Sequence, residues 1–262
     1  MNYSEIIQKI GSVRDFKEAQ LEANALELIQ KDAKKEAPEK LQIICYTDGD
    51  SIYKKLSGKA GYFGNLIKAP VYMLFLSSDY DILAAAAETA RFSAFDKGIS
   101  SCWLTMQDPK NVKKELGITS DYDLLALIAF GKADTGYFKQ DMSARSGRNA
   151  ATEIAFIDKW GNEPTWEDLE QRGLGDVFYY TRFAPSWGNV QPCKFIVDKS
   201  NIIMTVESSN KEDAELNIGL SMFYFLKACS IAGYNLKEVS SDIDGNKYAI
   251  PSGIKIKKVF TF

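Results

Sequence analysis

The sequence of 262 residues contains no histidine. Ser-His-Asp and Cys-His nucleophilic sites and histidine-rich metal centres are thereby excluded, because each of them needs an imidazole. General acid–base catalysis built on imidazole is disfavoured for the same reason. If the protein is an enzyme, we expect a bound cofactor to supply the reactivity.

Several other features are scarce or missing. The four cysteines, at positions 45, 102, 193 and 229, form no CxxC pair, so neither a disulfide scaffold nor a zinc site is indicated. No stretch approaches the roughly 20 apolar residues of a membrane span, and the first ten residues lack the apolar core of a signal peptide. A net charge of −3 gives no general attraction to nucleic acid or anionic membranes. We therefore expect a cytoplasmic protein without a metal, nucleic-acid or membrane partner.

Hydrophobic patterning predicts a mixture of helices and strands, hence an α+β fold, and the two long helices with apolar residues almost all round are expected to be buried. The predicted helices are 3–9, 23–35, 52–56, 81–97, 108–116, one that starts at 166, and 215–232. The predicted strands are 41–47, 69–76, 99–106, 122–131, 194–197, 202–206 and 254–262. Residues 48–50, Asp-Gly-Asp, are predicted to form a turn.

One stretch, residues 182–192, is unusually rich in fixed geometry and directed polarity. It carries two prolines and a glycine together with Ser186, Asn189 and Gln191, whose side chains can offer hydrogen bonds. It is predicted to lie between a helix and a strand, where backbone N–H groups and amides can face a planar ligand. The alternative is a structural, proline-rich connection.

The spacing within this stretch resembles the signature of the nitroreductase family. The pattern is Arg-x-Ala-Pro-Ser-x-x-Asn-x-Gln-Pro-x-x-Phe, and members of that family are FMN-dependent oxidoreductases in which this loop lies along the isoalloxazine ring. The resemblance implies cofactor contacts from Pro185, Ser186, Trp187, Asn189 and Gln191. The tryptophan that usually follows Gln-Pro in the family is replaced here by Cys193.

The segment Gly-Ser-Val-Arg-Asp-Phe at 11–16 is a candidate phosphate cradle. Arg14 can supply charge-assisted hydrogen bonds and Ser12 a hydroxyl and an N–H, although such patterns also occur in many ordinary loops. The family opens with Arg-x-Ser-x-Arg/Lys-x-Phe, which holds the FMN phosphate, and Ser12, Arg14 and Phe16 match it. Ile10 stands where the family has its first arginine.

Two further segments resemble family elements. Gly98, Cys102 and Trp103 match a strand whose backbone approaches the flavin, which implies that Trp103, Leu104 and Thr105 lie nearest to the ring; the alternative is an ordinary core strand. The basic segment 132–149 is by composition a solvated loop. In the family such a segment closes over the FMN phosphate, which implies Arg148 as a second phosphate ligand and Arg145 as the reserve.

The two parts of the chain repeat each other in outline. Each has an Ala-Pro pair before a strand and later a long apolar helix that ends at a glycine. We interpret 1–157 and 164–262 as pseudo-repeats joined by 158–164 within one unit. Nitroreductases are typically homodimers with composite sites, and the chain resembles single-chain members in which that dimer is fused. The expectation is a monomer that contains an intramolecular pseudo-dimer.

The resemblance implies the α+β fold of the family, with a central mixed sheet. It also implies a flavoprotein that transfers hydride from NAD(P)H through FMN to a nitroaromatic, a quinone or a similar small acceptor. The chemistry of that reaction takes place at N5 of FMN, so no catalytic side chain is implied. An alternative function is a non-catalytic FMN-binding sensor or storage protein. A second alternative is a structural protein that binds no flavin.

Overall fold

The computed structural model describes residues 1–106, 108–134, 147–207 and 211–262. The chain divides into two compact units, Met1–Ser146 and Gly147–Phe262. The predicted α+β class is confirmed, because each unit combines helices with a sheet in which antiparallel pairing prevails.

The first unit has one long central helix and several shorter ones. Its helices are α1 (Tyr3–Lys9), α2 (Ala23–Lys34), α3 (Gly49–Leu56), α4 (Tyr80–Asp96) and α5 (Pro109–Glu115). Its strands are β1 (Gln42–Tyr46), β2 (Val71–Ser77), β3 (Ser100–Leu104) and β4 (Leu124–Gly131).

The sheet of the first unit is antiparallel, with the order β1-β2-β4-β3 among the described residues. In its register, Met73 lies opposite both Cys45 and Ile128. Every residue of β2 is buried, as expected for a strand that is covered on both faces. The helix α4 packs against this sheet and against α2. Its alanines, which are small enough for close approach, are buried at 84, 86, 87, 90 and 94.

The second unit begins with short elements. Its helices are α6 (Ala151–Ile154), α7 (Trp166–Gln171), α8 (Gly175–Thr181) and α9 (Lys211–Ile231), with 3-10 turns at Trp187–Asn189 and Gly245–Tyr248. Its strands are β5 (Ala155–Ile157), β6 (Cys193–Val197), β7 (Asn201–Glu207), β8 (Lys237–Val239) and β9 (Ile254–Thr261).

The described strands of the second unit form a mixed sheet in the order β5-β6-β7-β9-β8, in which β5 pairs parallel to β6 and the other pairs are antiparallel. A chain of aromatic rings fills the core beneath it. Phe195 lies 5.5 Å from Phe178 and 4.9 Å from Phe225, which in turn lies 5.3 Å from Phe260. These four rings connect α8 and α9 to the sheet, so they fix where α8 ends and the next loop begins.

The two units share one topology. In the first unit, the series α2-β1-β2-α4-β3-β4, with the short helices α3 and α5 left out, gives the strand order β1-β2-β4-β3. In the second unit, the series α8-β6-β7-α9-β8-β9 gives the corresponding order β6-β7-β9-β8. Both long helices end in the same way, since Gly98 (φ 69°) and Gly233 (φ 82°) take the left-handed conformation that suits glycine. The strand β5 has no counterpart among the described strands of the first unit.

Some expectations are wrong. The strands form two sheets instead of one central sheet, and only the second described sheet is mixed. The predicted turn at 48–50 is the start of α3, because the Asp48 side chain accepts from the Ser51 N–H and caps the helix. The short elements α6, β5, α8 and β8 are absent from the sequence-based prediction. Because α8 follows α7, the loop at 182–192 comes after α8 and not, as expected, after the helix that starts at Trp166.

Candidate functional site

The segment 11–17 of the first unit is fastened to the ends of β3 and β4. The Val13 N–H donates to the Ser101 carbonyl at 3.0 Å and the Lys17 N–H to the Lys132 carbonyl at 2.9 Å. The ring of Phe16 lies on Gly131, where an added Cβ would come within 2.7 Å of it. The residues between these anchors are therefore held against the sheet.

The structure brings Ser12, Arg14 and Cys102 together. Burial raises the pKa of the Cys102 thiol, while the positive charges of Arg91 and Arg14 and a hydrogen bond with Ser12 act in the opposite direction. Arg14 is exposed, and no hydrogen bond or ion pair engages its guanidinium within the described part of the chain. Ser12 and Arg14 therefore lie close enough to Cys102 for both to act on its thiol.

Beneath this segment lies a buried ion pair that the sequence reasoning missed. Arg91 Nη1 donates to Glu88 Oε1 at 2.7 Å, and the two side chains are 3% and 0% exposed. Arg91 Nε donates to Ser101 Oγ at 3.1 Å, and Nη2 to the Gly11 carbonyl at 3.2 Å. The available signal was two charged residues, three positions apart, within an alanine-rich helix, because such residues are seldom buried unless paired.

Trp103, Leu104 and Thr105, which were predicted to lie nearest the flavin, have different surroundings in the structure. The Trp103 indole N–H donates to Glu88 Oε1, so this ring is turned toward α4. The Leu104 side chain is buried in the core of the first unit. The Thr105 carbonyl accepts from the Gly61 N–H at 2.7 Å. Since β3 is the last strand in its sheet order, its outer backbone edge is not used by that sheet.

In the second unit, the loop after α8 has an unusual backbone. Asn189 (φ 57°) and Gln191 (φ 47°) both adopt left-handed conformations, which non-glycine residues seldom take. The Ser186 Oγ accepts from the Gln191 N–H at 3.0 Å, and the Trp187 N–H donates to Asn217 Oδ1 at 3.0 Å. The loop is thus tied both to itself and to α9.

The side-chain amides of Asn189 and Gln191, which were predicted to face a ligand, form hydrogen bonds within the protein. Asn189 Nδ2 and Gln191 Nε2 both donate to the Gly147 carbonyl, at 2.8 and 3.0 Å. The Asn149 N–H donates to Gln191 Oε1 at 2.9 Å. Arg148 Nη1 donates to the Ala184 carbonyl at 2.8 Å. Four hydrogen bonds therefore join the loop to the segment 147–149. One of them places the positive charge of Arg148 at the start of the loop.

Pro185 and Ser186 are half-buried in this loop, and the Trp187 side chain is 42% exposed. A small cavity of about 20 Å³, enough for a single water molecule, lies behind them. Its lining includes Thr181, Arg182, Ser186 and Ser221. The Nε atom of Arg182 is buried, and no hydrogen-bond partner for it occurs among the described residues.

The two departures from the family pattern, Ile10 and Cys193, both lie at buried positions. Ile10 is buried at the end of α1, where a charged side chain would have to be desolvated. Cys193 starts β6 and is buried against Ser221, and burial raises the pKa of its thiol to about 12. Arg145, the reserve phosphate ligand, lies outside the described residues.

Within the described ranges, no group of three or more Cys, Asp or Glu side chains is arranged to hold a metal ion. The same residues include no helix whose length and hydropathy would let it cross a bilayer.

Comparison with known families gives a match over most of the sequence. The family model described as "Putative TM nitroreductase" matches residues 2–226. A solved "putative nitroreductase" from Thermotoga maritima aligns with 99% of this chain and 92% of its own, at 19% identity and a TM-score of 0.59. The two proteins are thus similar in fold. No curated protein sequence matches the chain.

Shorter solved structures align with about half of the chain. An FMN-dependent nitroreductase from Clostridium difficile covers 50% of this chain and 87% of its own, at 22% identity and a TM-score of 0.45. A "putative nitroreductase" from Desulfovibrio desulfuricans, solved in complex with FMN, covers 53% and 91%, at 16% identity and a TM-score of 0.46. Both scores are below 0.5, so neither alignment assigns a property to this chain.

Proposed function

Because the chain belongs to the nitroreductase family, we propose that it is an FMN-dependent oxidoreductase. The proposed reaction moves hydride from NAD(P)H to a small organic electron acceptor, such as a nitroaromatic or a quinone. Bound FMN would supply the hydride acceptance and donation. The chain's own residues bind and orient the reactants, which agrees with a sequence that contains no imidazole for proton transfer.

The observation that carries the proposal is that Ser12 and the exposed Arg14 both lie close enough to Cys102 to act on its thiol. The phosphate of FMN is an anion with several acceptor oxygens, and a guanidinium together with a hydroxyl is the donor set that such a group requires. The anchors at Val13 and Lys17 fix the backbone from which these two side chains extend. The residues present therefore fit the phosphate end of the cofactor.

The loop of the second unit is proposed to contact the planar part of the cofactor. Its exposed Trp187 and the half-buried Pro185 and Ser186 offer an aromatic face, an apolar ring and a hydroxyl. Asn189 and Gln191 contribute by holding this loop in its left-handed conformation through Gly147. Less binding energy is then lost to ordering the loop.

Further contacts complete the proposed set. Trp103 and Leu104, at the end of β3, and Thr105, which directly follows it, are proposed to contact the cofactor mainly through their backbone, since β3 is the last of the described strands in its sheet order. Arg148 adds positive charge at the start of the loop in the second unit. A phosphate contact from Arg145 is also part of the proposal.

We further propose that the chain is a pseudo-dimer within one polypeptide. The shared topology of the two units supports this, since the strand orders β1-β2-β4-β3 and β6-β7-β9-β8 correspond element by element. A protein of this kind is expected to be a monomer of 29.3 kDa. Light scattering on the protein as it elutes from a sizing column tests this; a stable dimer would contradict it.

The proposed function is tested by mixing the purified protein with FMN, removing the excess and recording a visible spectrum. Retained oxidised-flavin bands, followed by NAD(P)H oxidation with a quinone or a nitroaromatic, are the expected result. Retained flavin without turnover with any acceptor would support a sensor or storage protein instead. A colourless protein would rule out both, and leave the family fold without the cofactor.

A further inference from the structure

The buried pair Glu88–Arg91 connects three elements of the first unit. The Arg91 guanidinium donates hydrogen bonds to Glu88 in α4, to Ser101 in β3 and to the Gly11 carbonyl at the start of the candidate phosphate segment. The Glu88 carboxylate is also bonded by the Trp103 indole. A single guanidinium thus joins the long helix, the edge strand and the segment that carries Ser12 and Arg14.

A buried ion pair of this kind does not by itself make the fold more stable. Two buried charges lose their hydration, and an apolar pair of similar volume often stabilises a fold at least as well. What an apolar pair cannot do is fix the direction of a carbonyl group. By holding the Gly11 carbonyl, Arg91 determines the direction in which the next peptide groups and the Ser12 side chain point, while Ser101 is shared between Arg91 and the Val13 N–H.

We propose that Arg91, oriented by Glu88, is a positioning residue that sets the conformation of the segment 11–14 for binding a phosphate group. The proposal rests on the proposed FMN function, because it assigns this segment to the cofactor's phosphate. Arg91 itself is buried, so it acts through the segment rather than on the ligand. A substitution of Arg91 should therefore change the affinity for the phosphate group and not the affinity for the flavin ring.

The test uses two ligands that differ only in the phosphate, FMN and riboflavin, with dissociation constants measured by flavin fluorescence on the full-length protein. The variants are Arg91→Lys, whose ammonium cannot reach all three partners, and the milder Ser101→Ala, which removes one of them. The matched control is Ser77→Ala. Ser77 is an equally buried serine of the same unit that bonds the Lys40 carbonyl instead.

The expected result is that Arg91→Lys and Ser101→Ala lower the preference for FMN over riboflavin by about tenfold, the equivalent of one lost charge-assisted bond. Riboflavin affinity stays close to that of the unaltered protein, and Ser77→Ala leaves the preference unchanged. Equal weakening of both ligands, or no change in either, overturns the proposal. If Arg91→Lys does not fold, Ser101→Ala decides alone.

A second measurement separates this inference from the proposed function. Amide hydrogen exchange at Val13, recorded without any flavin, is expected to be faster in Ser101→Ala than in Ser77→Ala. The Val13 N–H keeps its bond to the Ser101 carbonyl in this variant, but Arg91, which holds the Gly11 carbonyl two residues earlier, loses its bond to the Ser101 hydroxyl. If the unaltered protein binds neither flavin, the proposed function fails, and the exchange rate then tests only whether Arg91 sets the conformation of the segment. Faster exchange supports that part of the proposal, and unchanged exchange overturns it.

Discussion

The side-chain amide of Asn189 donates to the carbonyl oxygen of Gly147 at 2.8 Å, across 42 residues of chain. Gln191 donates to the same oxygen at 3.0 Å. Two left-handed residues thus share one acceptor, and their loop is held by both of its side-chain amides. The amides that suggested a ligand site from the sequence therefore bond the protein's own backbone.

Substituting Asn189 should show this support directly. Asn189→Asp keeps a side chain that tolerates the left-handed backbone, but it cannot donate to Gly147. We expect a loss of about 1 kcal/mol in unfolding free energy from urea titrations. We also expect about tenfold weaker FMN binding, because the loop is no longer ordered in advance.

The matched control for that change is Asn162→Asp. Asn162 donates to the Ile157 carbonyl at 2.8 Å in the same unit, so the same bond and the same charge change are involved. It should lower stability similarly and leave FMN binding unchanged. Equal effects of the two variants on FMN would show that the loop has no special role.

Removing the exposed guanidinium of the first unit should weaken phosphate binding selectively. Arg14→Gln is expected to weaken FMN by about tenfold to a hundredfold, since charge-assisted bonds to the phosphate are lost. Lys17→Gln removes the same charge three residues away and should have little effect. Isothermal titration with FMN measures both; identical losses would indicate a general effect of charge instead of a defined contact.

The buried ion pair should be strongly non-additive. Glu88→Leu leaves Arg91 buried without its carboxylate, and we expect a loss of about 3–5 kcal/mol in unfolding free energy. The double variant with Arg91→Met should lose much less, because no unpaired charge remains. As a control, Glu5→Ala breaks the exposed pair with Lys9, at a cost of about 0.5 kcal/mol or less. Additive losses at Glu88 and Arg91 would contradict this interpretation.

Asp198 should contribute a pH-dependent part of the stability. Burial acts to raise the pKa of its carboxyl, but the N–H groups of Ser200 and Asn201 and the Tyr248 hydroxyl outweigh it, so the pKa lies below its ordinary value of 3.8. The unfolded state then binds the proton more readily. The stabilisation is present above pH 3.8 and is lost as the pH falls through the lower pKa of the folded state.

We therefore expect Asp198→Asn to flatten the dependence of unfolding free energy on pH in the acidic range. Urea titrations at several pH values on both sides of 3.8 provide the measurement. Asp242→Asn, which removes an exposed carboxylate of the same unit, controls for the change in net charge. An unchanged slope in Asp198→Asn would count against the hydrogen-bonded carboxylate as its source.

The thiols should react slowly in the folded protein. Burial raises the pKa of Cys45 to about 11 and those of Cys193 and Cys229 to about 12, and it also raises the pKa of Cys102. At mildly alkaline pH, few of them are thiolates, so a chromogenic disulfide should modify them far faster in urea than in buffer. The half-exposed Cys45 should react first, and Cys45→Ser should remove that phase. Rapid reaction at Cys193 would contradict its burial.

The sequence predicted the long elements well, because their signals are local. The strand at 69–76 and the helices at 81–97 and 215–232 are long apolar runs with clear ends, and the structure has β2, α4 and α9 there. In contrast, α8 contains Val177, Phe178 and two tyrosines, which favour strands. It is helical because Val177 and Phe178 pack into the core, a tertiary effect that no local pattern reveals.

The candidate site was predictable in its residue types but not in its directions. The spacing of Ser12 and Arg14 indicated a cradle, and the structure places both beside Cys102. Whether the Asn189 amide points to a ligand or to Gly147 depends on a segment 42 residues away, which spacing within the motif cannot specify. The role of Glu88 and Arg91 likewise depends on Gly11, which lies 80 residues from Arg91 in the chain.

The parallel pairing of β5 with β6 also has a consequence for folding order. β6 and β7 form a local hairpin, whereas β5 reaches β6 only after α7 and α8 have been placed between them in the chain. Distant pairings of this kind form late, since the loop must close before the contacts are gained. Any intermediate that lacks β5 leaves one edge of β6 open. That edge is where chains synthesised at high concentration would pair with one another and aggregate.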